Sequence, residues 1–300
     1  MKDKSPLVSV VITNYNYAKY LREAINSALN QTYQNKEVIL IDDASSDNSR
    51  EIYDKFSRKI KIIKHLENRG IVFSRNEALN IVKGKYICFL DADNYWESDY
   101  LAKICDFAEK NNMDVVYTDM QLFGNRNSLV KLPEFNLEIL KSANFIDMGA
   151  LIKTSIAKKQ GFDPFLNKMS HEDWDFFLGI ALTGACLARC SDTKLNYRVH
   201  SYSRNIYGGD KEKLIEFAKM FAHITNKYAK KYPKEFLYST SRDFANWIIS
   251  YDYTVTQTAQ TFERTIQLAQ AETQRILNSK SYKIGHKITA PYRVLRRVLK

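Results

Sequence analysis

The chain has 300 residues, 45% hydrophobic and 26% charged, with 19 Tyr and 16 Phe, a balance that excludes a disordered polypeptide and supplies enough apolar surface for a substantial core. Four cysteines include no CxxC pair and fit a reduced, cytosolic setting; the apolar start before Thr13 is too brief for a signal-peptide core, and no run approaches the ~18 apolar residues that span a bilayer. The net charge of +11 is polarised: Arg275 to Lys300 holds eight Lys or Arg and no Asp or Glu, so the basicity belongs to the end of the chain and is not a footprint spread over the whole surface.

In chain order, Leu7 to Thr13 reads as a buried strand that breaks at the turn-prone NYNY, and Lys19 to Leu29 follows with apolar residues at three-and-four spacing, an amphipathic helix. Val38 to Ile41 is a second buried strand that runs straight into Asp42 and Asp43, and Asp47 or Asn48 opens the next helix. Ile60 to Lys64 gives a third strand, leading through ENRG to a helix over Ile71 to Val82. The fourth strand, Tyr86 to Leu90, stops abruptly at Asp91 and Asp93, after which a helix around Leu101 to Glu109 and a fifth strand, Asp114 to Asp119, continue the alternation.

Strand and helix alternating at this interval make right-handed βαβ units and therefore a doubly wound, mainly parallel sheet with helices on both faces. Three strand ends carry polar residues, Thr13 with Tyr15, Asp42 with Asp43, and Asp91 with Asp93, and all three lie on the carboxyl edge where such sheets bind ligands. Two carboxylates separated by the small Ala92 suit a hard divalent cation, magnesium or manganese, that shares its shell with substrate phosphates. Neither GxGxxG after the first strand nor GxxxxGK[ST] anywhere is present, which excludes a dinucleotide fingerprint and a P-loop.

From Met120 the pattern loosens. Leu129 to Leu132 and Asp147 to Lys153 read as short strands, Ser170 or Asp173 as the start of the helix in HEDWDFFLGIAL, and Leu195 to His200 as an edge strand. Carboxylates at Glu172, Asp173 and Asp175 also suit the positive end of a helix, and His200 also suits a structural role. Glu212 to Tyr232, Phe236 to Tyr253 and Thr261 to Leu277 are long helical patterns.

VVITNYNYAKYL, VILIDDASSDNS, ENRGIVFSRNEAL, KGKYICFLDADNYW and HEDWDFF together resemble, in order and spacing, the family 2 glycosyltransferases of GT-A fold over about residues 6 to 205. The resemblance implies an α/β domain that takes a nucleotide-sugar, usually a UDP-sugar, and passes the sugar to an acceptor hydroxyl with inversion. By motif position it implies Thr13 and Tyr15 at the base, Asp42 or its neighbour Asp43 accepting from the base, Arg69 and Arg75 on the nucleotide side, Asp91 at the ribose, Asp93 on the metal, with His200 beside it, and Asp173 as the catalytic base next to Glu172. An acceptor hydroxyl needs such a base, and the leaving diphosphate needs a cation. Family analogy also suggests a bacterial surface polysaccharide or lipid-linked glycan as acceptor.

The expected organisation is a glycosyltransferase domain over 1–208, a helical region over 209–278 and a basic amphipathic tail over 279–300. Ile284, Ile288, Tyr292, Leu295, Val298 and Leu299 gather on one side of that tail, a pattern for an anionic membrane surface rather than nucleic acid, and a place at the inner face of the cell membrane follows. A sugar nucleotidylyltransferase would carry a glycine-rich basic loop after the first strand, which NYNYAKY lacks; a basic binding module on a vestigial enzyme fold is the other reading, separated by assay. The oligomeric state is open.

Overall fold

A computed structural model describes residues 5–167, 169, 171–200 and 211–232, with four further single positions between 267 and 278. The chain divides into two compact units, Met1–Thr240 and Ser241–Lys300, and the elements that follow belong to the first. The expected helix over 236–253, all but three positions of the one expected over 261–277, the boundary near 208 and the tail from 279 lie outside the described residues.

Strands β1 (Val8–Asn14), β2 (Lys36–Asp42), β3 (Lys61–Lys64) and β4 (Tyr86–Asp91) pair in parallel in the order β3-β2-β1-β4, with α1 (Ala18–Leu29), α2 (Ser49–Tyr53) and α3 (Ile71–Ile81) in the crossovers. β1, β4 and the latter part of β2 are buried on both faces, which is why their sequences are near-continuous apolar runs rather than alternating ones, whereas the edge strand β3 is part-exposed. Val8, Val10, Ile12, Cys88 and Leu90 join Leu21 and Ile25 of α1 in one core, and Cys88 sits there as a small hydrophobe. Each fully buried Leu or Ile contributes about 1.5–3 kcal/mol, so this core anchors the edge that carries the polar strand ends. Gly84 is required at the turn into β4, because a Cβ there would lie 2.7 Å from the backbone nitrogen of Ser9.

Beyond β4 the sheet is mixed. After β5 (Tyr95–Trp96) and α4 (Tyr100–Asn111) come β6 (Val115–Gly124), β7 (Ser128–Val130), α5 (Leu137–Ser142), β8 (Leu151–Lys153), α6 (Thr154–Gln160), α7 (Glu172–Leu182), β9 (Leu187–Val199) and α8 (Lys211–Lys231). The full order is β3-β2-β1-β4-β8-β6-β9-β5, with β7 on β6. The short β8 is wedged antiparallel between β4 and β6. It covers only the end of the stretch expected as a strand from Asp147, because Asp147 and Gly149 form a turn in which Asp147 Oδ1 accepts from Gly149 N at 2.7 Å. The segment expected as an edge strand at Leu195 to His200 is instead the end of β9, an interior strand between β6 and the two-residue β5. Its 13 residues pair with β6 through a bulge at Thr118/Asp119, a partnership between distant segments that local sequence does not encode. Helix α7 starts at Glu172, and its residues from Trp174 to Leu182 are buried all round, as expected for a helix that is apolar on every face. Among the described residues no helix is long and apolar enough to cross a membrane.

Candidate active site

The parallel register places the strand ends side by side: Thr13 pairs with Ile41 on one flank and Asp91 on the other, and Asn14 lies opposite Asp42. Around the end of β2 the carboxylates are taken up by the chain itself. Asp42 accepts from Asn14 Nδ2 at 2.7 Å and from Ser45 Oγ at 2.6 Å. Asp43 accepts from the backbone nitrogens of Arg69 at 2.9 Å and Gly70 at 2.8 Å, and faces His65 Nδ1 at 2.6 Å. Burial opposes a charge on His65, but Asp43 and Glu77 outweigh it and hold its pKa above the ordinary value. Gly70, at φ +87°, gives the ENRG loop the conformation that turns both nitrogens toward Asp43. Asp47 ties the neighbouring loop to α1 by accepting from Ala18 N at 2.8 Å. Tyr15, 43% exposed, stands on the rim, and Arg69 is exposed with its guanidinium over the Phe73 ring at 3.2 Å.

Arg75 occupies a different setting. It is buried, with Nη1 donating to Glu172 Oε1 at 2.9 Å and Nη2 to Asp91 Oδ1 at 3.3 Å, and it lies over Phe89 and Phe162 at 5.7 and 5.6 Å. Burial works against its charge; Glu172 first, then Asp91, Asp173 and Asp147, more than compensate. Asp173 accepts from Asn144 Nδ2 at 2.9 Å, and burial raises its pKa against the pull of Arg75. Burial, and after it the charge of Asp91, push Asp147 up to about 7. Asp93 is also raised, by burial and then by Asp91, while His200 Nε2 approaches its Oδ2 at 3.0 Å. The His200 ring stacks on Tyr20, and Arg198 of β9 pins the turn by donating from Nε to the Asp93 carbonyl at 2.8 Å and from its backbone to Asn94 Oδ1 at 2.9 Å.

Sequence thus led to Asp91, Asp93, Glu172, Asp173, Arg75 and His200, which the fold gathers at one edge, and to Thr13, Asp42 and Asp43, which it places at the ends of the adjoining strands β1 and β2. It passed over Asn14, Asn144, Asp147 and Arg198. Arg198 sits two residues from His200 in YRVH, a signal that was available, whereas Asp147 lies in a turn with no motif around it.

Two neighbouring carboxylates, Asp91 and Asp93, with the His200 imidazole against the second, make a donor set suited to manganese or magnesium. Among the described residues no three His, Cys, Asp or Glu side chains form a ready cage. The residues therefore fit an ion held by few protein ligands and completed by phosphate oxygens.

Residues 9–169 match the family model described as glycosyl transferase family 2. The UDP-Glc:alpha-D-GlcNAc-diphosphoundecaprenol beta-1,3-glucosyltransferase WfaP of Escherichia coli is 32% identical over 202 residues, covering 66% of this chain and 79% of that protein. Among solved structures, S. aureus TarS 1–349 in complex with UDP-GlcNAc superposes with a TM-score of 0.60 at 22% identity, over 73% of this chain and 66% of that one. The mannosyltransferase PcManGT from Pyrobaculum calidifontis, in complex with GDP-Man and Mn2+, gives 0.62 at 18% identity over 96% and 85%. These two structures share the GT-A fold described above. With its matched motifs in register on that fold, the chain belongs to glycosyltransferase family 2.

Proposed function

We propose that the protein transfers a sugar with inversion from a nucleotide-sugar, a UDP-sugar in first place, to a hydroxyl of a lipid-linked or surface glycan. The observation that carries the reading is the arrangement around Arg75. One of the two adjacent carboxylates, Glu172, is tied to the guanidinium, while the other, Asp173, keeps a raised pKa and accepts, among the described side chains, from Asn144. A carboxylate with a raised pKa is the stronger base, so Asp173 takes the proton from the acceptor hydroxyl as its oxygen bonds to the anomeric carbon. The bond from that carbon to the diphosphate breaks, and the electron pair leaves with the nucleotide. Tyr15 stacks on the base, Thr13 and Asp42 border it, and Asp91 receives the ribose; Asp43 shapes the loop that carries Arg69. Asp93, Asp91 and His200 would hold a divalent cation, which supplies positive charge to the leaving diphosphate.

WfaP supports the donor and acceptor classes, since its name pairs UDP-Glc with a diphosphoundecaprenol-linked sugar. A lipid-linked acceptor gives the basic tail over 279–300 a use, attachment to the cytoplasmic face of the membrane through anionic lipid. The test is release of nucleoside diphosphate from a panel of UDP-Glc, UDP-GlcNAc, UDP-Gal and GDP-Man, with and without a diphosphoundecaprenol-linked sugar, manganese and chelator. Acceptor-dependent release from one donor, lost with chelator and in Asp93→Ala, is expected. Release unaffected by acceptor and chelator alike would overturn the reading. Sedimentation of the full chain, and of a chain ending at Asn278, with anionic vesicles tests the tail separately.

A further inference from the structure

Helix α8 lies beyond the stretch matched by the family model, yet its side chains reach the first turn of α7. Asp175, fully buried, sits two residues past Asp173, and Lys227 Nζ donates to both its oxygens at 2.7 and 2.9 Å. The same ammonium group donates to Asp163 Oδ2 at 2.9 Å, where His223 Nε2 also lies at 2.9 Å. Burial would raise Asp163, but His223 and then Lys227 hold it down at about 2, so it stays ionised as a partner. Next along α8, the Tyr228 hydroxyl donates to the Asp175 carbonyl at 2.8 Å and accepts from Gln160 Nε2 at 3.2 Å. Gly179 leaves the room for that hydroxyl, since a Cβ there would collide with it. Phe221 packs on Trp174, with ring centroids 5.4 Å apart.

Residues two apart on a helix point about 200° apart, so Asp175 and Asp173 serve opposite sides of the first turn. The turn follows His171, a non-glycine residue in the left-handed region at φ +70°, a start that local sequence does not favour. We propose that Lys227 is a positioning residue of the transfer reaction: by gripping Asp175 and Asp163 it fixes the rotation of α7 and so the place of Asp173 in the crevice. This rests on Asp173 being the base. The grip holds the helical turn that carries the acceptor-activating carboxylate and leaves the loops around Asp42 alone, so its loss should lower turnover and spare donor binding.

The experiment compares Lys227→Met, Lys227→Arg, the double variant Lys227→Met with Asp175→Asn, and Asp173→Asn. Each is measured for kcat, donor KM and thermal unfolding, with whichever nucleotide-sugar the panel identifies. Lys227→Met should lose about tenfold or more in kcat, the scale of a sub-ångström to 1 Å displacement of a reacting group, with donor KM within about twofold. Lys227→Arg should keep kcat within about threefold, because the charge and its reach remain. The double variant removes the charge left at Asp175 and leaves Asp163 with His223 alone, so it should recover part of the stability and not kcat; it also decides the matter if Lys227→Met does not fold. Full kcat in the folded double variant beside an inactive Asp173→Asn overturns the positioning role alone. An active Asp173→Asn overturns the assignment of the base, and the proposal with it.

Discussion

Two clusters of carboxylates lie along the same sheet edge and have opposite characters. At the end of β2, Asp43 is saturated by two backbone N–H groups and His65, and Asp42 by Asn14 and Ser45. At the end of β4, Glu172, Asp91, Asp173 and Asp147 gather around Arg75 and Asp93 lies within reach of the Asp91 charge, and three of these five, Asp93, Asp147 and Asp173, have raised pKa values. Carboxylates whose partners come from their own loops build the loop. Carboxylates that burial and neighbouring negative charge hold above their ordinary pKa gain from a cation or from a proton to accept, and they are the ones a metal or a substrate hydroxyl can use.

The largest effect should come from removing the cation that the second cluster has. Arg75→Met takes the guanidinium away from the buried carboxylate of Glu172 and the half-exposed one of Asp91, and a loss of about 3–5 kcal/mol, most of it from the buried Arg75–Glu172 pair, is expected by denaturant unfolding. Adding Glu172→Gln should return part of it. An unchanged midpoint would mean that the cluster is wetter and less coupled than its geometry implies. Next, Asp173→Asn should lower turnover at least ~100-fold, equivalent to about 2.7 kcal/mol, while nucleotide affinity holds, and Glu172→Gln should cost less turnover. The reverse ranking would move the base to Glu172.

The contrast between the clusters also marks how far the sequence could be read. Apolar runs that end in Thr13, Asp42 and Asp91 announce strands whose ends converge, because a βαβ alternation leaves one arrangement for them. Crossover, hand and edge are thus local information. Whether a given carboxylate at that edge is satisfied depends on groups far away in the chain: Asp43 on Arg69 and Gly70, Glu172 on Arg75, Asp173 on Asn144. No periodicity records such pairings. Asp147 was hidden for the same reason, since β8 enters the sheet against the direction of its neighbours and carries the turn with it. The grip of α8 on Asp175 is likewise invisible in HEDWDFF, where the carboxylate reads as a helix-start residue.

Asp43→Asn tests the saturated cluster. One amide oxygen cannot replace two carboxylate oxygens, so a loss of about 1–3 kcal/mol is expected, read as a lower Tm with nucleotide affinity nearly kept. Lost affinity at unchanged Tm would make Asp43, and not Asp42, the ligand-binding residue. Asp147→Asn tests the unbalanced cluster in the opposite direction. With its pKa pushed up to about 7, Asp147 keeps in the folded protein a proton that the unfolded chain gives up near pH 4. Metal-free stability therefore falls as pH rises from about 4 through 7, and the Asn variant should be the more stable one at pH 8, by a margin that shrinks as pH falls and vanishes near pH 4. Parallel Tm curves for the two proteins from pH 5 to 8 would remove Asp147 from the strained group.

The smallest effect distinguishes saturation from absence of strain. Ala44, directly after the two aspartates, has φ +60°, which costs a residue with a Cβ about 1–2 kcal/mol. The conformation brings Ser45 back so that its nitrogen and hydroxyl both donate to Asp42, at 3.3 and 2.6 Å. The loop thus stores backbone strain and repays it with hydrogen bonds to the carboxylate that borders the proposed base site. Ala44→Gly relieves the strain and gives back about 0.5–1 kcal/mol of that gain through the greater freedom of glycine in the unfolded chain. The net expectation is a rise in stability of about 0.5 kcal/mol, roughly 1–2 °C in Tm, with nucleotide affinity unchanged. A gain in Tm accompanied by weaker nucleotide binding would show that the rigid alanine, and not only the hydrogen bonds around Asp42, keeps that half of the edge ready for its ligand.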